Sequence, residues 1–164
     1  RNSNFQSVAT SLLTYDAGDG VYIDVFMNGM QAGFTKMVKE GKPITAIVLT
    51  DDNSDFHLND EANDDFELIT DKIDEWVSAK AHNGVFRVES SSDNRLEMTI
   101  KIPLRDTNDR PYSTAKFAKE FRIAILTICK NASNTMGDGS QVNPRSAKQN
   151  VDKGTIMVTM PSFK

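Results

Sequence analysis

Apolar residues occupy every second position from Val21 to Met27, a pattern typical of a strand with one buried face. The dipeptide Asn28-Gly29 follows at once, and Asn-Gly between two alternating runs is the strongest short-range signal for a β-hairpin. We therefore predict a hairpin around this turn. A third strand, from Ile44 to Thr50, would complete an antiparallel meander.

Two further segments carry apolar residues at intervals of three and four, the spacing of an amphipathic helix. The first helix is predicted from Leu58 to Asn83, with acidic residues on its outer face. The second is predicted from Thr114 to Asn131, and Ser113 precedes it as an N-cap because its hydroxyl accepts a hydrogen bond from a free amide of the first turn. A short helix is also predicted between Arg1 and Tyr15.

The remaining strands follow from alternation. Val85 to Ser90 and Leu96 to Leu104 predict a second hairpin with one buried face, and Gly154 to Pro161 predicts a last strand. The segment Thr135 to Asp152 has no periodicity and is longer than a typical connection. It is either a functional loop or a partly mobile segment.

These elements predict an α+β fold of antiparallel β-meanders with helices packed on one face, in the order α-βββ-α-ββ-α-β. A length of 164 residues favours a single globular domain spanning 1–164. The outer face of the sheet would then be free for function.

Charge is unevenly distributed along the chain. The net charge is -4 at pH 7, yet residues 51–75 contain 11 acids and one Lys, while residues 76–164 contain 14 bases and 8 acids. This partition predicts an acidic patch and a basic surface that serve different partners, or that pair between subunits. The acidic patch comprises Asp60, Asp64, Asp65, Asp71 and Asp74.

The sequence contains no pattern typical of catalysis or of a cofactor site. Cys129 has no Cys partner and falls near the inner side of a predicted helix, where it acts as a small apolar residue. Asp51, Asn53 and Asp55 match the first ligands of an EF-hand loop, but Phe56 stands where that pattern requires Gly. We expect no metal, no cofactor and no membrane span, and we expect binding rather than enzymatic activity.

One hypothesis is binding of single-stranded DNA or RNA on the outer sheet face. Bases stack on exposed aromatic rings, and Tyr22 and Phe26 would lie on that face unless a helix or a second subunit covers them. The strands-then-helix order resembles, in topology alone, the Whirly family of single-strand binders. The basic residues near the predicted face are Lys36, Lys39, Lys42, Arg87, Lys101 and Arg105.

The other hypothesis, which we favour, is a non-enzymatic protein-interaction module: an assembly factor, a chaperone-like protein or a structural subunit. The element order is similar to that of the small acidic secretion chaperones, which dimerise and wrap partner segments. Net acidity also favours a protein partner, or a homo-oligomer, over nucleic acid. The unpaired Cys129 fits a cytoplasmic compartment better than a secreted one, but the sequence begins at Arg1 without an initiator Met, so the compartment stays open.

Overall fold

The computed structural model describes residues 19–164, with side chains from residue 27 onward. The chain divides into two compact units, residues 1–40 and residues 41–164. The helix predicted between Arg1 and Tyr15 lies outside the described residues. The expectation of a single domain over 1–164 stays a prediction.

The described part of the first unit is one helix, α1, Asp19–Glu40. The hairpin predicted around Asn28-Gly29 is therefore wrong, because both residues lie inside this helix. From Met27 onward the apolar residues also recur at intervals of three and four, and the second half of the segment is rich in Met, Gln, Ala, Lys and Glu, which favour helix. Gly29 and Gly33 each weaken the helix by about 0.5–1 kcal/mol relative to Ala, which is too little to break it.

The second unit is built on a five-stranded sheet in the spatial order β2-β3-β1-β5-β4. Its central strand β1 is antiparallel to β3 and parallel to β5, so the sheet is mixed. The predicted antiparallel hairpin β2–β3 is confirmed, and a second, unpredicted antiparallel hairpin joins β4 to β5. The predicted three-stranded meander is wrong. The strands are β1 Lys42–Leu49, β2 Phe86–Ser91, β3 Arg95–Ile102, β4 Gln149–Asp152 and β5 Thr155–Thr159.

The order of the described elements is α-β-α-ββ-α-ββ, which corrects the predicted order α-βββ-α-ββ-α-β. Helix α1 replaces two predicted strands, and the extra strand β4 forms within the segment 135–152 that was predicted to be a loop. The strand predicted at 154–161 and the hairpin predicted at 85–104 are both present. The α+β class is confirmed.

The helix predicted from Leu58 to Asn83 is shorter in the structure, where α2 is Ile69–Lys80. The residues before it form a loop, in which the Leu58 amide donates to the Asp93 carbonyl at 2.9 Å. Phe66, one of the apolar residues at helical spacing in the predicted range Leu58 to Asn83, is 76% exposed and has a φ of 62°. Apolar residues of the loop happen to continue the spacing of the apolar residues of α2. The predicted helix is therefore longer than the helix in the structure.

Helix α3, Thr114–Met136, follows its predicted signals closely. The Lys116 amide donates to Ser113 Oγ at 3.1 Å, so Ser113 is the N-cap as predicted. The helix continues past Asn131 and ends before Gly137, which has a φ of 67° and takes the left-handed conformation common after a helix.

The core of the second unit lies between one face of the sheet and helices α2 and α3. Alternate strand residues point into it because successive side chains of a strand face opposite sides. Phe56 and Leu58 of the loop before α2 are also fully buried. The core residues of the sheet and of the two helices include Ile44, Ala46, Val48, Leu96, Met98, Ile100, Ile102, Ile156, Val158, Ile73, Val77, Phe117, Phe121 and Ile125.

Candidate functional site

Helix α1 presents a row of large apolar side chains, here called the α1 stripe: Met27, Met30, Phe34 and Met37. Intervals of three and four residues place them on one side of the helix. All four side chains are exposed, and Phe34 keeps 61% of its accessible area. Contiguous exposed apolar side chains of this size are typical of interaction surfaces.

The eight residues predicted to form one partner-binding face belong to different elements. Tyr22, Phe26, Lys36 and Lys39 lie on α1, so the premise that Tyr22 and Phe26 stand on a sheet is wrong. The other four, Lys42, Arg87, Lys101 and Arg105, belong to the second unit.

Lys42 and Arg105 make their side-chain contacts away from the outer sheet face. Lys42 Nζ donates to Thr114 Oγ1 at 3.2 Å, and Arg105 Nη1 donates to the Asp109 carbonyl at 2.8 Å. These contacts fix the start of β1 and a surface loop. Neither residue lies on the outer sheet face.

The outer sheet face is the side of the sheet opposite the core. Thr45 on β1 stands between Thr99 on β3 and Thr155 on β5, which gives a row of threonines across three strands. Arg87 lies on the neighbouring strand β2 opposite Thr99. The described positions of this face carry threonines, ion pairs and aliphatic side chains such as Met157, and no aromatic ring stands among these pairs.

Two arginines on this face are paired with carboxylates, whereas Lys101 on β3 has no ion pair among the described residues. Arg87 Nη2 lies 2.6 Å from Glu89 Oε1, and Arg95 Nη2 lies 2.9 Å from Glu97 Oε2. Exposed pairs of this kind contribute little to stability, but they reduce the positive field that a phosphate backbone would meet.

The five acids predicted to form a patch divide between the loop before α2, which holds Asp60, Asp64 and Asp65, and α2 itself, which holds Asp71 and Asp74. Asp60 Oδ2 accepts from the His57 amide at 2.7 Å. Asp71 Oδ2 accepts from the Leu68 amide at 2.9 Å and so satisfies a free donor at the start of α2. Two of the five carboxylates therefore stabilise local backbone.

Asp74 differs from the other acids. Its Oδ1 atom is buried and has no hydrogen-bond partner among the described residues. Burial raises the pKa of its carboxyl, and the nearby charge of Asp71 raises it further. Asp74 is thus an acid held in an unfavourable environment.

A shallow groove of about 630 Å³ runs between α2 and α3. Trp76 is one of its lining residues, and its ring stacks on Phe121 with ring centroids 5.5 Å apart. The charges at its rim are paired within the protein: Lys80 Nζ lies 3.5 Å from Glu120 Oε1. The groove therefore exposes part of the aromatic cluster, and the charged side chains at its edge are paired with each other.

Within the part of the chain that the structure describes, no group of three or more His, Cys, Asp or Glu side chains could hold a metal ion. Cys129 is fully buried, as predicted, and burial raises the pKa of its thiol. A thiol in this state is a poor nucleophile.

The sequence interpretation missed the α1 stripe as a helical surface. Its signal was present: positions 23, 27, 30, 34 and 37 are all apolar and follow one another at intervals of four, three, four and three. The same positions also fit the apolar face of a hairpin, and the Asn28-Gly29 dipeptide favoured that alternative.

The second unit is a two-layer α+β domain with its helices on one side of a mixed sheet. The chain belongs to the family described as a domain of unknown function, DUF6175, whose model matches residues 42–142. The match begins at the first residue of β1 and ends just beyond α3, so helix α1 precedes it. No curated protein and no solved structure is significantly similar to the chain.

Among residues 19–164, no helix has both the length and the apolar character needed to cross a membrane.

Proposed function

We propose that this chain is a non-enzymatic protein-interaction module, and that helix α1 pairs with α1 of a second copy. The exposed α1 stripe is the observation that supports this function. Burying four large apolar side chains on one side of a helix lowers the free energy by about 25 cal/mol per Å² of apolar area removed from water.

The spacing of the stripe favours another helix as the occupant. Intervals of four, three, four and three from Ile23 to Met37 make a seven-residue repeat, the pattern by which two helices pack side by side in a coiled coil. A second copy carries the same row, so the surface is complementary to itself across a two-fold axis. The α1 stripe, from Met27 to Met37, extends about 15 Å at a rise of 1.5 Å per residue.

The charges of α1 favour antiparallel pairing of the two copies. Asp19 and Asp24 lie in the first half of the helix, whereas Lys36 and Lys39 lie near its end, followed by Glu40. Antiparallel pairing brings the acidic half of one helix toward the basic end of the other. Parallel pairing would instead place like charges next to each other.

The mass of the chain in solution, measured by light scattering and sedimentation over a wide concentration range, tests this proposal. We expect a dimer that dissociates on dilution. Replacing Met30→Glu together with Phe34→Glu puts charges into the apolar seam, and we expect the dissociation constant to rise by at least about 100-fold, equivalent to about 2.7 kcal/mol.

The matched control is Asn28→Glu with Thr35→Glu, which adds the same charge to exposed positions of α1 outside the stripe. This control should keep the dimer. A chain that is monomeric at every concentration, or a dimer that survives the stripe substitutions, would contradict the proposal.

Binding of single-stranded nucleic acid stays the alternative prediction. Fluorescence anisotropy of a labelled oligonucleotide, with Arg87→Glu and Lys101→Glu as variants, tests it in the same preparation. Salt-sensitive binding that these substitutions weaken would support nucleic-acid recognition on the outer sheet face.

A further inference from the structure

A second cavity, here called the C-terminal pocket, lies between the last turns of α3 and the segment 140–144, and has a volume of about 470 Å³. We propose that it binds a small organic anion with an apolar body, such as a medium-chain carboxylate. Its volume falls in the range of small-molecule sites. All its described lining residues belong to the second unit, so the inference is independent of the proposed self-association.

The walls of the pocket are held in place by backbone hydrogen bonds. The Asn143 amide donates to the Ser162 carbonyl at 2.8 Å, and the Lys164 amide donates to the Gln141 carbonyl at 2.8 Å. Ser133 Oγ on α3 donates to the Ser140 carbonyl. A ligand would therefore meet a surface that is already formed, which lowers the entropic penalty of binding.

The chemistry of the lining combines apolar surface with positive charge. Ile123 and Leu126 of α3 line the cavity together with Val142 of the loop, and Lys130 and Lys164 are also among its lining residues. No Asp or Glu is among the described residues of the lining. An anionic group joined to a hydrocarbon body satisfies both parts of this surface.

The lysines of this pocket differ from those of the groove between α2 and α3. Lys130 has no ion pair among the described residues, and Lys164 Nζ donates only to the neutral Gln141 side chain, at 3.2 Å. In the groove, Lys72 Nζ lies 2.7 Å from Glu67 Oε2 and Lys80 is paired as well. An anion would thus find available positive charge in the C-terminal pocket and neutralised charge in the groove.

The pocket would also give a role to part of the segment 135–152, for which the sequence predicts either a functional loop or a partly mobile segment. Its residues Ser140, Gln141, Val142 and Pro144 line one wall.

The full chain, with its methyl groups labelled for NMR, is titrated with decanoate, and the affinity is measured by calorimetry. We expect the methyl signals of Ile123, Leu126 and Val142 to shift together and to saturate. Replacing Lys130→Gln together with Lys164→Gln should weaken decanoate binding by at least about tenfold, since charge-assisted contacts are lost. Lys119→Gln with Lys148→Gln removes two exposed lysines outside the lining and should leave the affinity unchanged.

A second variant, Asn134→Trp, narrows the pocket at a lining position without removing charge, and should also abolish the methyl shifts. Decanol, which has the same hydrocarbon body without the charge, should bind more weakly by a similar factor. Equal binding of decanol and decanoate would overturn the proposal. Shifts confined to the methionine methyls of α1, or no shifts at saturating decanoate, would overturn it as well.

Discussion

Helices α1 and α3 are nearly equal in length, 22 and 23 residues, and both carry apolar side chains at intervals of three and four. In α3, Phe117 and Phe121 are fully buried, whereas Met30 and Phe34 of α1 are exposed. Similar patterns therefore have opposite outcomes. An amphipathic pattern shows that burial of one helix face is favourable. Which element buries that face depends on chain topology or on a partner.

The largest effect is expected from a substitution in the buried face of α3. Phe121→Ala removes a ring that packs against Trp76 and Phe117 and leaves a cavity, so the free energy of unfolding should fall by about 3–5 kcal/mol. The measurement is urea unfolding of the full chain under dilute conditions.

Phe34→Ala is the matched substitution on α1. Under the same dilute conditions it should change the unfolding of the second unit by less than about 0.5 kcal/mol, as is usual for exposed positions. Equal destabilisation by the two variants would show that the two helices are buried alike, and the contrast between them would be lost.

Two glycines sharpen the same contrast. Gly41 has a φ of 85°, and a Cβ atom there would lie 2.9 Å from both His82 Cβ and the Ile102 carbonyl oxygen. Gly41→Ala should therefore lower the free energy of unfolding by about 2–3 kcal/mol, through backbone strain and steric conflict. Chemical unfolding followed by tryptophan fluorescence measures this loss.

Gly33 on α1 is the opposite case, because a Cβ atom added there would meet no neighbouring atom within 4 Å. Gly33→Ala should stabilise the helix by about 0.5–1 kcal/mol and slow amide hydrogen exchange along α1. Faster exchange in this variant would contradict the helical assignment and favour the hairpin that the sequence predicts.

The smallest expected effects on stability concern two carboxylates. Asp74 has an oxygen without a hydrogen-bond partner among the described residues, whereas Asp106 is paired with Lys116. The pKa of Asp74 is raised in the folded protein, so its destabilising contribution is absent below the ordinary pKa of aspartate and appears as the pH rises through the raised value. Asp74→Asn should stabilise the protein at pH 7 by roughly 0.5–1 kcal/mol, a figure reduced for its partial exposure. The gain should vanish near pH 3.

Asp106 provides the control of opposite sign. The Lys116 ammonium, aided by the Arg110 amide, lowers the pKa of Asp106 to about 2. Its stabilising contribution is present above the ordinary aspartate pKa and is lost as the pH falls toward 2. Asp106→Asn should therefore lower the melting temperature at pH 7 but not at pH 2, and a shift of both variants in the same direction would refute this assignment.

The sequence predicted those elements whose signals lie within the element itself. Strand β1, the β2–β3 hairpin, β5 and the capped helix α3 all follow from alternation, spacing and the Ser113 signal. The parallel pairing of Thr45 with Thr155 joins segments more than 100 residues apart, and no local pattern reports such a contact.

The errors have equally physical causes. In α1 the apolar positions fit both a two-residue and a seven-residue repeat. The Asn28-Gly29 turn signal favours the first of these, although helix propensity favours the second. Ahead of α2, Ala62 is buried from a loop, so burial there does not indicate helix. Of the candidate surfaces, the α1 stripe could have been predicted from spacing alone, whereas the C-terminal pocket requires the fold, because its walls come from three separate segments.

Gly41 also has a mechanical consequence. It joins the end of α1 at Glu40 to the start of β1 at Lys42, so a pulling force carried along the chain from the helix enters the sheet at the start of β1. That residue leads into the middle strand, which is hydrogen-bonded to β3 on one side and β5 on the other. A pulling force that enters β1 is therefore resisted by two ladders of hydrogen bonds at once.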